Sequence, residues 1–264
     1  MELVLQKISG LPLGLEDSQL VFGDDLPIVQ PDIRHTKDFK GLLAPNSELT
    51  GPEDAYYMYR DIGWDKDKQM FRQHNYRYDI TVLRPGEIGR EKLKTVGHYH
   101  PVIPGTNVTY PEVYEVVSGR AHYICQKVEG KKVIEFFVVD ALPGQKVVIP
   151  PGYGHITINP LDEPLVMSNV TADGFKSIYT PLEELHGAAF YEFADGKWAP
   201  NEDYEIATKP VWAKANEVPS FGLTEAVPLY VSIANNPELF DYLVNPQNYQ
   251  ETFDKSLTMD GDIL

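Results

Sequence analysis

Two histidines one residue apart, His98 and His100, stand in the run Gly97-His98-Tyr99-His100. A β-strand sends alternate side chains to the same face, so this spacing aims both imidazoles at one point. Further along stand Glu112, in PEVYEVVSG, and His155, in PPGYGHITIN, each on or beside a run that reads as a strand. Any one of these histidines alone reads as a hydrogen-bonded structural residue. Together they form a ligand set of three imidazoles and one carboxylate, suited to iron, manganese, nickel, cobalt or zinc, with positions left for water or substrate. One divalent metal per chain, held by His98, His100, Glu112 and His155, is therefore expected. Glu115 is the competing carboxylate, set aside because it falls on the opposite strand face from Glu112.

The elements that must position these residues are short and β-rich. From Tyr78 to Asn169 the chain alternates β-branched runs with turn residues: ITVL (80–83), EVYEVVSG (112–119), AHYICQKV (121–128), KVIEFFVVD (132–140), QKVVIPP (145–151), HITIN (155–159) and PLVMSNV (164–170). Short strands at even spacing predict an all-β sandwich or barrel. Ser118-Gly119 and Glu129-Gly130 read as hairpin turns between them. We expect three regions: N-terminal strands and loops over 1–70 packing on the barrel, the barrel itself over 71–180, and a C-terminal extension over 181–264. The first contains an aromatic cluster at Tyr56, Tyr57 and Tyr59; the last suggests short helices at 181–186 and 236–244.

Composition narrows the partners. A formal net charge of −16 repels phosphate backbones and anionic lipid surfaces, so neither nucleic acid nor membrane is an expected partner. Cys125 is the single cysteine, which rules out an intramolecular disulfide and fits a reducing cytoplasm. The N-terminus lacks the basic and apolar regions of a signal peptide, and no stretch has the length of a bilayer span. Positive charge gathers at Arg84, Arg90, Lys92 and Lys94, either as a solvated loop or as a guide for an anionic substrate.

The metal-ligand segments resemble the two signature motifs of the cupin superfamily, which implies a double-stranded β-helix or jelly-roll barrel. The second motif is complete: Gly144, Pro150, Gly152, His155 and Asn159 stand at its spacing. The first is matched by His98-x-His100 and by Glu112 with Gly119, but Lys92 stands where a glycine usually begins it, and PVIPGTNVTYP makes a longer insert before Glu112. From about Arg34 to Tyr179 the chain resembles the cupin-type glucose-6-phosphate isomerases, through TVLRPGEIGREKLKTVGHYH, PEVYEVVSG and VVIPPGYGHITIN. That resemblance implies interconversion of glucose 6-phosphate and fructose 6-phosphate, with iron first among the expected metals. It places Thr81, Thr95 and Gly97 at the phosphate and Tyr56 near the substrate; Tyr114 is a further candidate contact. It also implies a homodimer, because cupin barrels commonly bury an outer face or edge against a partner. Where the family tends to have a tyrosine followed by Pro-Ala-Asp, this chain has Val170-Thr171-Ala172-Asp173.

Moving hydrogen between adjacent hydroxyl- and carbonyl-bearing carbons needs a base and a centre that stabilises the developing negative charge. Glu112 is the expected base, a bound divalent ion the expected electrophile, and a hydride shift the alternative route. Lys94 is a further expected phosphate contact. The same ligand set serves an iron-dependent dioxygenase, and a sugar-binding cupin without catalysis keeps the same barrel. The phosphate-type threonines favour the isomerase over the first, and the intact ligand set argues against the second.

Overall fold

The alternation in the strands is used twice over. In the strand Glu112–Ser118, the side chains of Glu112, Tyr114 and Val116 face one way, while Val113, Glu115 and Val117 face the other, and nearly all are buried. Strands buried on both faces read as continuous apolar runs, which is why these segments lack a polar side. The computed structural model describes residues 4–23 and 25–264, so residues 1–3 and Asp24 of the expected N-terminal region lie outside it.

The main strands are β1 (Asp32–His35), β2 (Asp54–Tyr59), β3 (Tyr76–Leu83), β4 (Glu112–Ser118), β5 (Ala121–Glu129), β6 (Lys132–Ala141), β7 (Lys146–Ile149), β8 (Gly154–Ile158), β9 (Leu165–Ala172), β10 (Glu205–Ile206), β11 (Val211–Ala215) and β12 (Leu257–Ile263). They form two six-stranded sheets. The first runs β7-β4-β9-β3-β2-β1, and the second runs β8-β5-β6-β11-β12 with β10 also on β6. Consecutive strands β4 and β5 belong to different sheets, as do β7 and β8, which is the interleaving of a jelly-roll barrel. The all-β cupin architecture expected from the sequence is therefore present.

One expected hairpin forms and the other does not. Glu129 pairs with Lys132 across Gly130, whose φ is +63°, and closes the β5–β6 hairpin. Ser118-Gly119 instead carries the chain from the first sheet to the second, so it is a corner. In the N-terminal region β2 pairs with β3 and β1 with β2, so these strands extend the first sheet and β1 forms its edge. In the C-terminal region a helix at Thr180–Glu184 and a 3₁₀ segment at Pro237–Leu243 match the expected helices, while β10, β11 and β12 extend the second sheet.

Two apolar clusters result. The inner one lies between the sheets and includes Val116, Tyr123, Phe136, Val138, Ile156 and Leu165. The outer one lies on the far face of the first sheet, where Tyr78, Ile80, Val113 and Val170 are covered by Leu11 and Leu13 from the N-terminus and by Phe221, Phe240 and Tyr242 from the C-terminal segment. Burying each large apolar side chain contributes about 1.5–3 kcal/mol. A buried ion pair, Glu115 to Lys146 at 2.8 Å, stands on this outer face, and Glu115 also accepts the backbone N–H of Leu229 at 3.0 Å. Glu115 thus anchors the extension, and its distance from the other sheet face explains why it is no rival to Glu112.

Candidate metal centre and its cavity

The His98-x-His100 segment is extended but belongs to no regular strand. It is held by single bridges, His98 with His155 on one side and Tyr99 with Ile178 on the other. Gly97 interrupts the ladder: its φ of +73° is a conformation that L side chains rarely adopt, and a methyl there would press into Ile156 and the His155 carbonyl. The reciprocal bonds His98 N–H to His155 carbonyl (3.1 Å) and His155 N–H to His98 carbonyl (3.0 Å) lock two of the histidines at directly opposed positions. Glu112 arrives from the inner face of β4, and His155 from β8.

The four side chains converge. His98 Nε2 and His100 Nε2 are 3.1 Å apart, and Glu112 Oε2 lies 3.1 Å from His155 Nε2, 3.4 Å from His100 Nε2 and 4.0 Å from His98 Nε2. One donor atom from each residue lies within 4.8 Å of the others. His100 Nδ1 is 2.9 Å from the Tyr110 carbonyl, so that nitrogen carries the proton and Nε2 keeps its lone pair toward the centre. Asn169 Nδ2 donates to Glu112 Oε1 at 2.6 Å, and the Tyr114 hydroxyl donates to Oε2 at 3.0 Å. The outer carboxylate oxygen is thereby occupied while the inner one faces the imidazoles. Donor atoms converging at these separations, with the outer sides of His100 and Glu112 fixed by Tyr110 and Asn169, suit a divalent cation.

Electrostatics agree with that use. Desolvation, followed by the neighbouring imidazoles of His155 and His100, holds His98 well below the ordinary histidine value, so it stays neutral. Desolvation also lowers His155, and the opposing attraction of Glu112 does not reverse it. Burial alone raises the Glu112 carboxyl, but hydrogen bonds and Coulombic attraction from His100 and His155 outweigh it and hold the group well below the usual carboxylate range. A depressed carboxylate at Glu112 beside lowered imidazoles at His98 and His155 favours metal binding, which needs deprotonated ligands. Burial, then the Glu112 charge, push the Tyr114 hydroxyl far up, which keeps it a donor.

The longer insert before Glu112 shapes the rim. Val102 bridges Thr109, and Tyr110 stacks on Phe175 with ring centres 4.6 Å apart, Phe175 in turn packing on the His100 ring. The insert therefore supplies the carbonyl that orients a candidate ligand.

The centre opens into a cavity of about 670 Å³, its mouth included. All the expected contact residues, Thr81, Thr95, Gly97, Tyr56 and Tyr114, line it. The expected basic run does not. Lys94 is buried, its ammonium 2.5 Å from Glu91 and 3.1 Å from the Leu42 carbonyl, while Arg90 lies over the Phe193 ring. Three arginines from other segments, Arg34, Arg60 and Arg77, line the cavity instead, together with Asn169 and Tyr179. Asn169 was open to sequence reasoning, because it shares a strand face with Met167 and Thr171; the arginines carried no motif. In the departing segment, Thr171 reaches the cavity and Val170 packs in the outer core.

A jelly-roll barrel with three imidazoles and one carboxylate converging inside it defines a cupin with a candidate metal centre. Residues 33–209 match the family model described as "Glucose-6-phosphate isomerase (GPI)", and the chain belongs to that family in its cupin-type form. The glucose-6-phosphate isomerase of Pyrococcus furiosus is 30% identical over 186 residues, covering 69% of this chain and 88% of that protein. The one from Thermococcus onnurineus is 29% identical over 145 residues, covering 53% of this chain and 69% of that protein. Among solved structures, a recombinant oxalate oxidase in complex with glycolate is similar over 52% of this chain and 61% of its own, with 13% identity and a TM-score of 0.37.

Proposed function

We propose that this cavity interconverts glucose 6-phosphate and fructose 6-phosphate, with His98, His100, Glu112 and His155 as metal ligands and Glu112 also as the base. The observation that carries the reading is the meeting of the ligand cluster and the Thr81, Thr95 and Gly97 positions in one cavity, in a chain of the glucose-6-phosphate isomerase family. When bound, a divalent ion supplies a positive centre for the charge that develops on the substrate oxygens. Glu112 accepts the carbon-bound proton at Oε2 and returns it to the adjacent carbon, the hydroxyl proton passing between the two substrate oxygens, while Asn169 holds Oε1 and Tyr114 orients the carboxylate. Thr81, Thr95 and Gly97 fix the phosphoryl end, with Tyr56 beside them, which reduces the entropic cost of alignment.

Iron is the first metal to test, followed by manganese, nickel, cobalt and zinc. A cytoplasmic location accords with the single cysteine, Cys125, whose thiol is fully buried. Among the described residues no helix is long and apolar enough to cross a membrane. A homodimer accords with β1 and β12, each of which ends a sheet and, among the described residues, has a strand neighbour on one side only. The deciding experiment is turnover of fructose 6-phosphate by protein loaded separately with each metal, beside chelated protein. Activity restored by metal is the expected result; no turnover at full occupancy would sink the reading.

A further inference from the structure

The three cavity arginines differ in what already neutralises them. Arg60 Nη1 is 2.9 Å from Asp79, and Arg77 Nε lies 2.9 and 3.0 Å from the two oxygens of the same fully buried carboxylate. Arg77 also reaches Asp173 at 3.2 Å. Arg34 has no carboxylate within ion-pair distance among the described residues, and its Nε is buried without a hydrogen-bond partner. Its guanidinium lies 5.8 Å from the centre of the Tyr179 ring. The guanidinium is half-buried beside the Tyr56 hydroxyl, and its idle Nε donor is costly to leave unpaired unless an anion arrives to use it.

Its place in the sheet matches one end of the expected substrate. Arg34 is level with Tyr56, and Tyr56 is level with Leu83 on β3. Glu112 is level with Thr171, and Thr171 with Arg77, at the other end of the same strand. The Tyr56 hydroxyl accepts the Val96 N–H at 3.4 Å, which puts the Arg34 end beside the Thr95-x-Gly97 segment. The His98 ring centre is also 5.8 Å from the Tyr179 ring. Arg34 and the ligand cluster thus flank one tyrosine, a span that an extended six-carbon sugar phosphate bridges. Thr81 and Thr95 are neutral donors, and Arg34 is the cation at their end of the cavity.

We infer that Arg34 binds the phosphoryl group of the substrate and sets the preference for phosphorylated over neutral sugars. The inference rests on the sugar-phosphate reading of this cavity. In metal-loaded protein, Arg34→Gln is expected to raise KM for fructose 6-phosphate and the inhibition constant for inorganic phosphate by about 10- to 100-fold, the worth of a hydrogen bond to a charged group. Metal content and thermal midpoint should stay at wild-type values, kcat should change less than KM, and Arg34→Lys should recover part of the phosphate affinity. Unchanged KM and unchanged phosphate inhibition in Arg34→Gln would overturn it. Calorimetric titration of wild type and both variants with inorganic phosphate decides the matter independently of turnover: weaker binding in Arg34→Gln with partial recovery in Arg34→Lys supports the assignment, and equal binding in all three removes it. Wild-type protein that binds phosphate through Arg34 yet turns over no fructose 6-phosphate would refute the isomerase reading and leave the anion site standing.

Discussion

Replacing Glu112 with glutamine keeps the volume of the side chain and changes the atom that faces the imidazoles. Asn169 Nδ2 approaches Oε1 at 2.6 Å as a donor, so the glutamine carbonyl oxygen is held on that side. Its NH₂ then takes the position of Oε2, between 3.1 and 3.4 Å from the lone-pair nitrogens of His155 and His100. An anionic ligand and proton acceptor is lost, and a neutral donor stands in its place. Three imidazoles remain, as many protein ligands as catalytic sites commonly use, so most of the metal should be retained at saturating concentration. Removing a general base typically costs about 10²- to 10⁴-fold in rate, and that fall in kcat for fructose 6-phosphate is expected. KM should move by no more than a few-fold, because Thr81, Thr95 and Gly97 are untouched. The assay measures turnover and elemental metal content on the same preparation, so a rate lost with the metal is separated from a rate lost with the base. A variant with full metal and near-normal turnover would refute the assignment and turn attention to a hydride shift.

Gly97→Ala should destabilise the protein by about 2–5 kcal/mol in urea unfolding, from left-handed backbone strain together with overpacking against Ile156 and Leu182; a change under 0.5 kcal/mol would contradict the geometry. Acidification should weaken metal-free protein in two stages. His98 and His155 are lowered in the folded state, so the unfolded chain takes up protons first and stability falls as pH drops through the ordinary histidine value of about 6.5, by up to about 1.4 kcal/mol per pH unit for each group. Glu112 is depressed, so its contribution is complete above the ordinary carboxylate value and is lost only as pH falls through its own lower one. Urea midpoints from pH 8 to pH 3 report both, and a flat profile between pH 7 and pH 5 would refute the first.

The ligand set was legible because its residue types are chemically scarce and its spacing is tight. His98, His100, Glu112 and His155 needed only the alternation of extended backbone to be brought together, and bridged pairing at His98 and His155 supplies it without a regular strand. Strand parity places Glu115 on the face away from Glu112, and there Lys146 and the Leu229 N–H claim it. Parity failed where the chain changes sheets. Ser118-Gly119 has the composition of a hairpin turn, and nothing local says whether the next strand folds back or crosses over. The cavity cations were illegible for a related reason: Arg34, Arg60 and Arg77 meet the site only through the pairing of β1, β2 and β3, which is a long-range property. Lys94 misled because closeness in sequence to the histidines put it near the site, while Glu91 three residues earlier offered the nearer partner.

The last fifty-odd residues change what a minimal version of this enzyme would be. The family match ends at residue 209, yet β11 and β12 complete the second sheet beyond it, and Phe221, Phe240 and Tyr242 roof the first. Cutting the chain at that boundary would strip β6 of its β11 neighbour, bare the aromatic ceiling over Tyr78 and Ile80, and deprive Glu115 of the Leu229 N–H. The segment that matches the family is therefore not self-sufficient in this chain, because residues beyond it finish the second sheet and cover the outer face of the first.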